Sequence, residues 1–276
     1  MTISSVLEEM QSNSPPFQPV LSSRVDGYRE QQLRWNPVCV KNDALFYEFS
    51  AGEGGCTIQL LPDACLNVLF ICDPDHPHAL LSGAFLKPRT LELKPNTSYF
   101  GFKPYSSLGM KQPKIAYTEL VDQFTDLTEA FPWAGELVER IPTVRGFEDR
   151  IGLFNAFARD YLIDYDYTPT FVDYLTIMIC ASRGNILFTG LDKETGYSER
   201  YCREKFKSGY GMSPKQYSGI MRFQGALKAL FSEDYNDLSA LAFDSGYFDQ
   251  AHFIHDFKKF TTVSPYHFLK SCYSKP

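Results

Sequence analysis

The sequence has no apolar run approaching the roughly 20 residues that span a bilayer. Its best stretches, 67–72 and 175–181, stop far short, which excludes a membrane-spanning helix as the organising feature. Its opening, MTISSVLEEM, carries Glu8 and Glu9 and has neither a basic start nor an apolar core, so no secretory signal is legible. The seven cysteines, Cys39, Cys56, Cys65, Cys72, Cys180, Cys202 and Cys272, are odd in number and lack the close, repeated spacing of a disulfide framework. Reduced thiols and a cytoplasmic setting are therefore expected. Also missing are a phosphate-binding glycine loop, a zinc-protease helix and a nucleophile elbow. Nothing in the pattern calls for a cofactor or a catalytic residue, and the chain is expected not to be an enzyme.

A surplus of basic residues is absent too: 33 Asp+Glu face 27 Lys+Arg, a net charge of −6. Taken over the whole chain this argues against nucleic acid, because phosphate binding needs Lys and Arg. The balance is uneven, however. Residues 1–166 hold 14 basic and 22 acidic side chains, or −8, whereas residues 167–276 hold 13 and 11, or +2. The two parts differ in character, and 276 residues are enough for two domains. With 44% hydrophobic residues and abundant Phe and Tyr, each can bury a core.

The pattern predicts an α+β chain in four parts: a flexible arm over 1–24, a β-rich regulatory domain over 25–112, linking helices over 113–166 and an all-α domain over 167–276. In the second part, runs 44–49, 56–61, 66–72, 90–93 and 98–102 alternate with turn formers such as Gly52 to Gly55, Pro62-Asp63, Asp73-Pro74-Asp75 and Lys94-Pro95-Asn96. That spacing suggests a β-sandwich or barrel. Beyond Pro113 the period lengthens, with helices expected over 117–130 and 147–163. Pro169 ends that pattern and can begin the next helix.

The last hundred residues contain an internal repeat. One copy reads Gly196-Tyr197-Ser198-Glu199-Arg200-Tyr201-Cys202-Arg203-Glu204-Lys205-Phe206. The other reads Gly246-Tyr247-Phe248-Asp249-Gln250-Ala251-His252-Phe253-Ile254-His255-Asp256-Phe257 and is one residue longer. Seven residues beyond each final Phe stands a Ser-Pro pair, Ser213-Pro214 or Ser264-Pro265. Helical runs precede both copies, at 186–195 and 238–245, so each reads helix, tight glycine turn, helix. Ser198 and Asp249 are suited to cap the second helices. Cys202 and Phe206 share a packing face opposite Arg200, Arg203, Glu204 and Lys207. Phe253, Phe257 and Phe260 form the second buried stripe and leave Gln250, Ala251, Ile254, His255 and Lys258 outward. Between the copies, Ser213 can cap a helix starting at Pro214 and running about 18 residues. At 1.5 Å per residue that is roughly 27 Å, near the roughly 34 Å between successive major-groove faces of B-DNA.

As an ordered set, these residues resemble the DNA-binding domain of the AraC/XylS transcription regulators over about 169–270. The resemblance rests on Gly184-Asn185-Ile186 with Leu191, on Gly196-Tyr197-Ser198 with Phe206, and on Gly211 before Ser213-Pro214. Arg222 with Ala226, Leu241-Ala242, Gly246-Tyr247, Phe253, Phe257 and Ser264-Pro265 complete it. It implies two helix-turn-helix units joined by a central helix. It further implies base contacts from Arg200, Arg203 and Glu204 in the first unit and from Gln250, Ala251, Ile254 and His255 in the second. Arg suits guanine and Gln suits adenine, while Lys193, Lys207, Lys258 and Lys259 are better placed for phosphates. The chain departs from the family pattern at Asp192, where Ala is usual, and at His255, where Arg is customary. The partners implied are double-stranded promoter DNA, RNA polymerase for an activator, and a second copy of the chain, with no membrane.

The segments around 62–70, 83–85 and 99–104 resemble the β-rich, often cupin-like regulatory domains of some such regulators, which bind a small effector or mediate dimerisation. Trp35, Phe46, Tyr47, Phe49, Tyr99 and Phe102 would line an apolar pocket, with Arg89 or Lys103 as a polar anchor. Two competing readings remain at this point. One is a cupin-like metal enzyme with a helical tail, using His76 and His78, with Cys65 and Cys72 as further thiol ligands, although their spacing matches no firm motif and no metal is expected. The other is a protein-interaction module that binds no DNA.

Overall fold

The computed structural model describes residues 16–38, 43–107, 109–186, 196–232 and 237–273. It opens with a short helix, α1 (Pro19–Arg24), inside the segment expected to be a loose arm. Val20 and Leu21 are buried there, and apolar contact outweighs the turn-forming composition around them.

Among the described residues eight strands follow. A six-stranded antiparallel sheet runs in the order β1-β2-β7-β4-β5-β8, from β1 (Asp26–Arg34), β2 (Asp43–Ser50), β4 (Asn67–Cys72), β5 (His78–Ser82), β7 (Ser98–Pro104) and β8 (Phe124–Asp126). The pair β3 (Cys56–Leu60) and β6 (Arg89–Leu93) forms a second, two-stranded sheet. In the large sheet Phe46 faces Phe102 and Tyr47 faces Gly101 across the β2–β7 ladder. Alternation along the strands then sends Phe46, Phe70, Phe100 and Phe102 to one side and Tyr47, Phe49, Leu69 and Tyr99 to the other. Both sides are buried, so the central strands read as nearly continuous apolar runs.

The second side packs against Ile58 and Leu93 of the small sheet, giving the expected sandwich. Its interior is filled: Phe49 stacks on Tyr99 at 4.9 Å, and the Tyr47 ring lies over Gly101 so closely that a Cβ there would come within 2.0 Å of it. Only glycine permits that approach.

Helices α2 (Tyr117–Leu120), α3 (Leu127–Ala130), α4 (Gly135–Arg140) and α5 (Phe147–Phe157) cover the first side. They bury Leu120, Leu127, Leu137 and Phe154 under this face of the sheet, and α2 also reaches the C-terminal part, where a Cβ at Gly211 would come within 2.4 Å of the Tyr117 carbonyl oxygen. Phe154 of α5 sits 4.2 Å from Phe102 and 5.6 Å from Phe46, centroid to centroid. Arg150 adds a tie by donating from Nη1 to Glu48 Oε2 at 2.8 Å. The helix expected over 117–130 is broken, because Asp122 takes a left-handed backbone (φ 60°) and residues 124–126 pair with β5 instead. Sheet-edge hydrogen bonds prevail there over helical periodicity. The helix expected over 147–163 ends as α5 at Phe157 and continues as a π-helical turn, Ala158–Leu162.

The C-terminal part is all helical: α6 (Phe171–Ala181), α7 (Glu199–Tyr210), α8 (Pro214–Phe231), α9 (Leu238–Asp244), α10 (Gln250–Thr261) and α11 (Pro265–Tyr273). Helix α8 starts at Pro214 behind a Ser213–Gln216 capping box and spans 18 residues, matching its predicted start and length. One core runs through α6 to α11 and also takes in Val20, Leu61, Ala64 and Ala84 from the N-terminal half. At this junction Gln224, midway along α8, donates from Nε2 to the Pro62 carbonyl at 2.7 Å and accepts from the Phe17 N–H at 2.8 Å. Gln18 brackets Leu61, donating to its carbonyl at 2.8 Å and accepting from its N–H at 3.0 Å.

Candidate nucleic-acid interface

The two repeat copies fold as predicted where they are described. In the second, α9 leads through Gly246, at φ 78°, into α10. A Cβ at Gly246 would lie 1.9 Å from Asn185 Oδ1, so the turn requires glycine both for its left-handed backbone and for contact with the Gly184-Asn185 segment. In the first, Gly196 has φ 72° ahead of α7; the helix expected over 186–195 falls almost wholly outside the described residues, as do Leu191, Asp192 and Lys193. Both recognition helices are capped as expected. Ser198 Oγ accepts from the Tyr201 N–H at 3.3 Å, and Asp249 Oδ1 accepts from the His252 N–H at 2.7 Å, partnering N–H groups that the first turn leaves free.

The inward stripes repeat. Cys202 and Phe206 are buried in α7, and Phe253, Phe257 and Phe260 in α10. Helix α8 serves both: its Tyr217 meets Phe206 at 5.4 Å, and its Phe223 meets Phe257 at 5.6 Å and Phe260 at 4.9 Å. Arg222 of α8 lies 5.2 Å over the Tyr247 ring in the second turn. One helix thus fixes the two units to each other through side chains on opposite ends of its buried face.

The outward faces differ. On α7, Arg200, Arg203, Glu204 and Lys207 are exposed. Arg200 Nε pairs with Glu204 Oε1 at 3.0 Å, and Arg203 Nη2 with Glu199 Oε2 at 3.8 Å. Glu204 therefore holds one of the two arginines along the helix surface. On α10, Gln250, Ala251, His255, Lys258 and Lys259 are exposed. Ile254 is half-buried and packs against the domain core. It lies one residue beyond Phe253, on the edge of the buried stripe, and is less outward than its helical position suggests. The Gln250 Oε1 accepts from Ser239 Oγ at 2.9 Å, and Asp256 lies within 3.8 Å of His252 Nε2 and 3.7 Å of His255 Nδ1. Sequence reasoning missed these tethers because Ser239 and Asp256 carry no periodic signal. It also passed over Phe243 and Phe248, which are 79% and 91% exposed.

The expected effector-pocket residues do not gather around one space. Trp35, Phe46 and Phe102 belong to the core under the helical layer, and Tyr47, Phe49 and Tyr99 to the sandwich interior. Arg89 lies 3.7 Å from Asp122. Alternation along β2 and β7 separates residues that are adjacent in sequence. Lys103 and Tyr47 line a cavity of about 20 Å³ with Gln18, Asp63, Cys65 and Asn67, and Phe102 lines a separate apolar one of about 20 Å³ with Leu66, Phe131, Trp133 and Leu137. In the first, Lys103 Nζ is bonded to Asp63 Oδ2, and Tyr47 donates to Asn67 Oδ1 at 2.7 Å. Burial opposes the Lys103 charge, but the Asp63 carboxylate, with Tyr47 and Cys65 beside it, more than offsets this, and its pKa is raised. Of the residues weighed as metal ligands, His76 is highly exposed and its Nδ1 lies 3.8 Å from Asp73. Among the described residues no three His, Cys, Asp or Glu side chains are grouped to hold a metal ion, and no helix is long and apolar enough to cross a membrane.

No curated protein matches the chain. Among solved structures it is similar to an apo ToxT variant from Vibrio cholerae, at 13% identity over 82% of this chain and 97% of that chain, with a TM-score of 0.44. ToxT from Vibrio cholerae with an unsaturated fatty acid bound is similar at 11% identity over 94% and 97%, with a TM-score of 0.42. The xylose-binding transcription activator XylR is similar at 14% identity over 49% and 39%, with a TM-score of 0.32. A family model described as a helix-turn-helix domain matches residues 191–271, the span that holds both capped recognition helices and the helix between them. Residues 191–271 of this chain form a helix-turn-helix domain.

Proposed function

We propose that the chain is a sequence-specific transcription regulator that reads double-stranded promoter DNA with α7 and α10 and acts in the bacterial cytoplasm. The observation carrying this reading is the pair of capped recognition helices that pack on one helix, α8, each with its polar face exposed. Arg200 and Arg203 are the base readers of the first unit, and Gln250, Ala251 and His255 those of the second. Lys207, Lys258 and Lys259 hold phosphates, which position without specifying; Lys193 is assigned the same role from sequence. A domain charge of only +2 gives weak non-specific attraction, so affinity rests on specific contacts. A gel shift with the DNA upstream of its own gene, at fixed salt, tests this: a discrete complex resistant to competitor DNA is expected, and its absence on any selected sequence defeats the reading.

The β-rich domain is the sensor in this proposal. The hydrogen bonds of Gln18, Leu61, Pro62 and Gln224 run from the Lys103–Asp63 pair to the middle of α8, so a small molecule taken up beside Lys103 would reach the helix that sets the spacing of the two units. The cavity there holds about one water, and an effector enters by moving the Tyr47 ring. Thermal melting against a metabolite library checks this, with a raised midpoint for a binder and no such shift in Lys103→Met. Pairing of two copies on adjacent sites, and contact with RNA polymerase in an activator, complete the proposed partners.

A further inference from the structure

Aligning the two turns identifies the extra residue of the second copy. The first runs Gly196-Tyr197-Ser198, with Ser198 as cap; the second runs Gly246-Tyr247-Phe248-Asp249, with Asp249 as cap. The inserted residue is Phe248. Its neighbours are fixed, because Tyr247 is buried and Asp249 holds the first turn of α10. The ring between them is turned wholly outward, 91% exposed, so it contributes almost nothing to the core. It stands one residue before the cap and two before Gln250, at the end of the helix that enters the groove in such units.

A phenyl ring has no donor or acceptor to offer a base edge. In the major groove the apolar feature it can meet is the C5-methyl of thymine. Resting on the DNA-binding reading above, we propose that Phe248 is a further specificity-determining residue of the second unit, its ring packed against a thymine methyl beside the base read by Gln250. The insertion thus adds a fully outward phenyl ring at a position the first turn lacks, where the first unit has only the half-exposed, mutually stacked Tyr197 and Tyr201, in the unit that lacks an arginine on its recognition face.

The test uses the full chain. Wild type, Phe248→Ala, Phe248→Leu and Phe243→Ala are each used to select from a pool of random-sequence duplexes, and the selected duplex is then remade with single thymines replaced by deoxyuridine, which removes only the methyl. Because Phe248 is exposed, Phe248→Ala should melt like wild type while binding about three- to tenfold more weakly and losing the preference for thymine at one position. Deoxyuridine at that position should weaken wild type by a similar factor and leave Phe248→Ala unchanged, with Phe248→Leu between the two. Phe243→Ala, which removes the other exposed ring of the unit, should leave affinity and preference intact. Equal affinity and the same consensus for Phe248→Ala, indifference of wild type to every thymine methyl, or an equal loss in Phe243→Ala, as a shared protein-docking patch would give, each overturns the assignment. A wild-type protein that selects no consensus defeats the DNA-binding reading itself.

Discussion

The two helix-turn-helix units share an inward stripe at the same helical spacing, Cys202 and Phe206 in one and Phe253 and Phe257 in the other, and differ in what they turn outward. Both bury a stripe against α8 and both carry a side-chain cap. Outward, the first presents two arginines, each tied to a glutamate four residues away, and the second presents Gln250, His255 and the unpaired ring of Phe248. The difference teaches that packing and capping are what the repeat preserves, because they decide whether the unit folds. The solvent face carries no such constraint and is free to acquire different readout chemistry. Three substitution pairs and one single substitution sharpen or break this comparison.

The largest effect is expected in the shared core. Phe206→Ala and Phe257→Ala each remove a fully buried ring and should each lower stability by about 3–5 kcal/mol, read as equal shifts in urea midpoint. A small loss in one unit alone would show that the cores are not equivalent. Next comes readout: Arg203→Ala should cost about 1–3 kcal/mol of binding to a selected site and relax preference at one position, while His255→Ala costs less. Competition gel shifts measure both, and a larger loss at His255 would invert the ranking of the units. The caps should be interchangeable in worth, with Ser198→Ala and Asp249→Ala each costing about 1 kcal/mol in thermal melting. The smallest effect is a gain: Glu204→Gln releases Arg200 from an exposed pair worth about 0.2–1 kcal/mol and removes an acid facing phosphate. It should tighten DNA binding slightly at low salt, and weaker binding would mark Glu204 as a base contact in its own right.

Much of this was legible beforehand because it rests on local rules. The Gly-Tyr turns, the caps Ser198 and Asp249, and α8 beginning at Pro214 follow from backbone conformation and unsatisfied helix-end groups, which act within a few residues. Strands 44–49, 56–61 and 66–72 were legible for the same reason. Ile254 is half-buried where the helical period points it outward, since helical spacing gives a direction and not the width of the neighbouring core. The expected aromatic lining divides between two cores, since sequence proximity says nothing of which side of a doubly buried sheet a ring takes.

By itself, then, the sequence determined the class of each half, the duplicated recognition unit and its inward stripe, all consequences of periodicity, capping and glycine turns. Only the tertiary structure decided that α1 divides its buried residues between the two halves, that helices α2–α5 pack under the large sheet, and that Gln224 fastens α8 to Pro62. It also decided that Arg200 and Arg203 are held by their own glutamates and that Phe248 stands free. These depend on which surfaces meet across long stretches of chain, where burial of apolar area and satisfaction of buried polar groups choose among arrangements that local propensity leaves equal.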